Sequence, residues 1–159
     1  MIAGTRDLTG DQAARLIGGL QLGVSKASGS MASGWTTAAS PVSLFTVTGD
    51  VLARVHATVQ TTIASTSNTG TIAVGVTGNT GVFIAATTMD ATNCVAGVTW
   101  VDATATLKAE ALAGTSGWVL IAGGADIIAT IATNNMTAGA AVFYCDWIKK
   151  SADGLVVAA

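Results

Sequence analysis

The chain is short of charge. Only 10% of its 159 residues are Asp, Glu, Lys or Arg, against about 25% in an ordinary globular domain. A monomer uses surface charge to stay soluble, so a surface this neutral is expected to be covered in good part by other subunits. The net charge is −2, and the basic residues are scattered, with Lys149–Lys150 the one adjacent pair. Phosphate neutralisation needs a basic face, so nucleic acid is not expected as a partner. The lysine pair reads instead as a solvated strand end that discourages edge pairing.

Other shortages exclude further classes. With one histidine and two cysteines far apart, Cys94 and Cys145, the chain is short of the ligands that a zinc site needs, and none is expected. Both cysteines sit in apolar runs and read as buried free thiols rather than a disulfide. No D-x-D-x-D-G run marks a calcium loop. Gly75, Gly78 and Gly81 are spaced like a phosphate loop but lack its Lys-Ser/Thr and precede no helix, so they read as turn glycines. No metal and no cofactor is expected. No apolar run reaches the roughly 18 residues of a membrane span. The closest, Gly117 to Ala132, is interrupted by Gly123–Gly124 and Asp126. The beginning of the chain lacks a basic start followed by an apolar core, so no secretory leader is expected. The Asn135-Met136-Thr137 sequon therefore carries no weight.

Catalysis finds no constellation. His56 lies on an alternating strand between Arg54 and Thr58. A base there would need an activated nucleophile and an orienting acid, and no residue is marked for either role. Asp50, Asp90, Asp126 and Asp153 fall in turns, where Asp caps its own backbone. A carboxylate pair facing a groove is not indicated. The expectation is a protein that is not an enzyme.

What is present is alternation. Ser43–Ser65 reads as a short strand, a Gly49–Asp50 turn and a long strand paired with the first. The long strand sets Val51, Val55, Val59 and Ile63 on one face, with Leu52, Arg54, His56 and Gln60 on the other. Further strands are expected over Thr71–Thr77, Val82–Thr88, Cys94–Ala103, Trp118–Ala122, Ile127–Thr133 and Ala141–Lys149. Turns are expected at 68–70, 78–81, 123–126 and 134–139. The stretch 106–113 is ambiguous and leans to strand, and the apolar tail after Gly154 is a candidate edge strand. In the last strong strand, Ala141, Phe143, Cys145 and Trp147 share one face. Val142, Tyr144, Asp146 and Ile148 share the other. About eight short strands without long helices predict an all-β fold, an antiparallel β-sandwich or jelly roll.

Two units are expected, an N-terminal arm over 1–40 and a sandwich domain over 41–159 that begins at the single proline, Pro41. In the arm, Leu16, Ile17 and Leu20 recur at helical spacing behind a Thr9/Asp11 cap. Ser25 to Ser40 is rich in Ser, Gly and Ala and reads as an extended linker. Trp35 within it must be buried, either on its own domain or on a neighbour. Trp100, Trp118, Phe143 and Trp147 could form a sugar platform but read as core, with Trp118 the best exposed candidate. The residues assigned to a subunit or capsid interface are Leu16, Ile17, Leu20, Trp35, Arg54, His56 and Trp118.

Several motifs in order carry a resemblance. They are Leu44-Phe45-Thr46-Val47-Thr48-Gly49-Asp50-Val51, Thr71–Thr88, Trp100-Val101-Asp102, Ala125–Thr133, Val142–Trp147 and Ser151-Ala152-Asp153-Gly154. Over roughly residues 44 to 154 the chain resembles small tailed-bacteriophage virion proteins. The resemblance implies a structural particle protein, foremost a capsid decoration or cement protein. Its partners would be the major capsid protein and, as a homotrimer, copies of itself. It would be made in the bacterial host cytoplasm and reside on the virion. The alternatives are a tail, neck or fibre component, or a carbohydrate-binding module on a spike.

Overall fold

The structure is a computed structural model, which describes residues 22–100, 107–108 and 117–159. Among these, eleven strands form: β1 (Leu22–Ala27), β2 (Val42–Thr48), β3 (Val51–Ser65), β4 (Thr71–Val76), β5 (Asn79–Thr88), β6 (Thr99–Trp100), β7 (Leu107–Lys108), β8 (Val119–Ile121), β9 (Ile127–Ala132), β10 (Met136–Lys149) and β11 (Leu155–Ala158). No helix among the described residues is long and apolar enough to cross a membrane.

All pairings are antiparallel, and four of them nest: β4 with β5, β3 with β8, β2 with β9 and β1 with β10. The chain is thus a long folded-back ribbon. Rolling the ribbon brings β10 beside β3 and β9 beside β4. The result is one sheet in the order β1-β10-β3-β8, which β6 and β7 extend from β3, and a second in the order β11-β2-β9-β4-β5. Nested antiparallel pairs divided in this way between two packed sheets are the jelly-roll topology, the more specific of the two expected sandwich architectures.

The core follows from period-2 patterning. On β3 the residues Val51, Ala53, Val55, Ala57, Val59 and Ile63 are buried, while their even-numbered neighbours are not. On β10 the buried set is Ala141, Phe143, Cys145 and Trp147. From the opposite sheet come Phe45, Ile72, Val74, Ile127 and Ile131, in one continuous cluster. Small Ala residues at alternate inward positions of β3 leave room for large rings. Phe143 stacks on Trp35 with centroids 5.8 Å apart and meets Trp100 at 6.4 Å.

The expectations for residues 25 to 40 are corrected here. Leu22–Ala27 is a strand on the edge of the first sheet, paired from Leu22↔Trp147 to Ala27↔Val142. Trp35 is 3% exposed and Met31 fully buried. The stretch is therefore part of the sandwich, not a linker, and the domain extends N-terminal of residue 41. The cause is Trp35, whose apolar area is satisfied on Phe143 of its own chain and whose indole nitrogen donates to the Ser28 carbonyl at 3.2 Å. Residues 1–21, including the expected helical segment, lie outside the described residues.

The Gly49–Asp50 turn also does something other than expected. It does not close a hairpin, because β2 and β3 belong to different sheets. It carries the chain from one layer to the other and is locked by the Ser151–Gly154 turn. The Asp50 amide donates to Ser151 Oγ at 2.7 Å, and the Lys150 and Ser151 amides donate to the Asp50 carbonyl. Gly49 has φ +60, and a Cβ there would collide with the Asp153 carboxylate. Two motifs far apart in sequence are thus one knot in space. Close by, Asp50 Oδ1 accepts from the Gly123 amide at 2.8 Å, and Asp126 Oδ1 accepts from the Val47 amide at 2.9 Å. Turn carboxylates do cap backbone, often on a neighbouring turn.

Smaller differences concern strand ends. Of the strand expected over 94–103, the described part is Thr99–Trp100, and Cys94 sits in a turn with its amide bonded to the Asp90 carbonyl. The expected 78–81 turn contracts to Thr77–Gly78, with β5 beginning at Asn79. Of the expected 134–139 turn, Asn134 and Asn135 do lie in the bend between β9 and β10, while β10 takes up the rest from Met136, with register shifts near Gly139. The C-terminal tail does form an edge strand, β11 on β2. At that side of the sandwich the Lys26 ammonium donates to the main-chain oxygen of Ala159, tying the two edges together.

Trp35→Ala is expected to cost the isolated chain about 3–5 kcal/mol, the range for a buried large aromatic. Chemical denaturation would read it directly, and an unchanged midpoint would return Trp35 to a surface role. Cys94 and Cys145 are both buried and free, and burial pushes the Cys145 thiol up to about 12. Both thiols are expected to resist a chromogenic thiol reagent at pH 8 until denaturant is added. Rapid native labelling would contradict their burial.

Candidate functional site

The β-register builds ordered rows of side chains across the outer face of the first sheet. The innermost strands supply them, since odd positions of β3 and β10 are consumed by the core. Ile148 of β10 lies opposite Leu52 of β3, which lies opposite Leu120 of β8. This is an apolar row at one end of the face, and Leu120 is 60% exposed. The next row is Gly23 of β1, Asp146 of β10 and Arg54 of β3, with Trp118 beside Arg54. The row after that is Ser25, Tyr144 and His56.

The second row is held by charge and ring. Arg54 Nε donates to Asp146 Oδ2 at 2.9 Å, a partly exposed pair worth roughly 0.2–1 kcal/mol. The Arg54 guanidinium also lies over the Trp118 ring, 5.0 Å from its centroid, a cation–π contact. Trp118 is 36% exposed, so Arg54 orients an indole that remains available for contact. The pair cancels its own charge.

The third row is a ring stack. His56 and Tyr144 are cross-strand neighbours with centroids 5.0 Å apart and planes within 14°. Partial burial lowers the His56 pKa. The Asp146 carboxylate acts against that shift, and the Arg54 cation adds to it. Gly23, Val24, Ser25, His56, Tyr144 and Asp146 enclose a shallow depression of about 310 Å³.

The structure therefore brings three expected interface residues, Arg54, His56 and Trp118, onto one face. It does not bring Trp35 there: Trp35 is in the core, on the other side of the sheet beneath Phe143. Leu16, Ile17 and Leu20 lie outside the described residues. Sequence reading missed the roles of Gly23, Ser25, Tyr144, Asp146 and Leu120. Alternation already placed Tyr144 and Asp146 on the polar face of their strand. What it lacked was the register that sets them opposite His56 and Arg54. Among the described residues no three His, Cys, Asp or Glu side chains gather as a metal site.

Searches against protein-family models, curated proteins and solved structures each return no match.

A histidine whose folded pKa lies below its unfolded value binds fewer protons when folded. Stability is then complete above the unfolded value of about 6.5 and falls as pH drops through it toward the folded value. The thermal midpoint is expected to decline between pH 7 and pH 5, before carboxylates such as Asp90, itself held below its usual range by the Asn93 and Thr92 amides, begin to protonate. His56→Gln should flatten that decline. An identical slope in the variant would remove His56 as its source.

Proposed function

We propose that the chain is a capsid decoration protein that attaches to the outside of a tailed-bacteriophage head and stabilises it by bridging neighbouring capsomers. The observation that carries this reading is the apolar row Ile148–Leu52–Leu120, half-buried at Ile148 and Leu52 and exposed at Leu120, with Trp118 beside it, on a face where the Arg54–Asp146 ion pair is self-neutralising. Contact cores are depleted in charge and enriched in aromatic side chains. Energetic anchors in such contacts are typically a Trp and a few packed neighbours. A chain with 10% charged residues suits a surface that spends its working life covered. The motif resemblance between residues 44 and 154 points to the same particle class.

The partner in this reading is the major capsid protein, with self-association into a trimer at positions of local three-fold symmetry. Three weak footings joined in one trimer bind collectively far more tightly than each alone. The row lies at the end of the sandwich that carries the Gly49–Asp50 knot, so the molecule stands on this end and projects the rest of the jelly roll outward. A fold alone would not justify the assignment, because jelly rolls serve many functions.

Shells assembled without the protein should lose genome or collapse at a lower temperature than shells with it added back. Leu120→Asp should weaken binding to shells about 30-fold or more, the scale of a hot-spot loss, while leaving the isolated fold intact. Equal heat resistance of decorated and bare shells would reject the proposal.

A further inference from the structure

The depression beside the stacked rings lies in the rows next to the apolar one, and what it can hold does not depend on whether the protein decorates a capsid. Its floor is open because position 23 is glycine. A side chain there would begin 3.7 Å from Asp146 Oδ1. That oxygen is the one Arg54 leaves free, since the guanidinium bonds Oδ2. Among the described residues, Asp146 Oδ1, the Tyr144 hydroxyl and the Ser25 hydroxyl make no hydrogen bond. One wall is the His56–Tyr144 stack. The volume of about 310 Å³ is at the small end of ligand pockets.

These features select a ligand chemistry. A flat aromatic wall favours a guest with an apolar face. A carboxylate oxygen and two hydroxyls around it favour a guest rich in O–H groups. Charge is balanced locally, Asp146 by Arg54, and the burial of His56 favours its uncharged form. A strongly charged guest would gain little here and would be desolvated at a cost. We propose that this pocket binds one neutral pyranose ring of a glycan. The C–H face of the sugar packs on Tyr144, and a pair of adjacent hydroxyls donates to Asp146 Oδ1. Ser25 and the Tyr144 hydroxyl bond the remaining oxygens. It lies on the same outer face as the apolar row, in the two rows next to it.

The test uses the purified full chain, so it does not depend on any capsid. Saturation-transfer NMR would be recorded with the methyl glycosides of glucose, galactose, mannose and N-acetylglucosamine, and with glucuronate and glucosamine as charged controls. The expected result is transfer to at least one neutral glycoside at millimolar concentration and weaker transfer to both charged sugars. Gly23→Val, which fills the pocket from a strand edge, should abolish it. Asp146→Asn should weaken it about tenfold, and Tyr144→Ala should remove it. Thermal denaturation would check that each variant is folded, and Gly23→Val and Tyr144→Ala act on different strands, so one suffices if the other does not fold. The absence of transfer to every neutral glycoside would overturn the proposal. So would transfer that persists in a folded Gly23→Val or Tyr144→Ala variant, or a preference for glucuronate or glucosamine.

Discussion

The pairing of β3 with β10 is the constraint on which the rest of the molecule depends. These are the two longest strands, and they run antiparallel through the middle of the first sheet. Their odd positions supply one wall of the core. Because side chains alternate with period 2, the same register that buries Val55 beside Cys145 and Ala57 beside Phe143 must place Arg54 beside Asp146 and His56 beside Tyr144 on the outer face. A slip by one residue would turn both faces over together. Core stability and outer-face chemistry are two consequences of one alignment.

The ends of this pair are fixed by contacts from elsewhere in the chain. At one end the Gly49–Asp50 crossing and the Ser151–Gly154 turn lock each other through the Asp50 backbone and Ser151 Oγ. Glycine is required at 49 by its positive φ and the closeness of Asp153. At the other end, Ser65 Oγ donates to the Met89 carbonyl at 2.6 Å and accepts from the Gly70 amide at 2.9 Å. Bulges near Gly139 let β10 bend over Ile63. Trp35 then closes the aromatic cluster from the N-terminal side. The frame of the outer face is thus tied to other segments at both ends.

Much of this was legible in the sequence for a physical reason. A half-buried strand writes its burial directly as alternation, and both Val51–Ile63 and Ala141–Trp147 do so clearly. The inward faces of both and the all-β class followed from that, while Trp118 stood out as the best exposed of four aromatics read as core because it follows Gly117 in a loop-like context. The sequence could not state register, because either strand alternates equally well against any partner. That is why Tyr144 and Asp146 were placed on the correct face without being assigned to His56 and Arg54. It also misread 25–40, where Ser, Gly and Ala resemble a linker by composition. The deciding contact, Trp35 on Phe143, spans most of the chain and leaves no local trace. The Gly49–Asp50 dipeptide has hairpin chemistry, and only the layer assignment of its flanking strands reveals a crossing.

Together these features describe a charge-poor, tightly framed jelly roll whose outer face offers an apolar footing at one end and a polar, ring-walled depression farther along. The proposed role rests on that footing being covered in the working assembly. The most direct test is an electron cryo-microscopy map of the particle with this chain traced in it. The expected result is density for the jelly roll on the outside of the head at joints between capsomers, with Leu52, Leu120 and Trp118 buried against a neighbouring subunit. A chain found in the tail, or one on the head with Leu120 and Trp118 facing solvent, would contradict it.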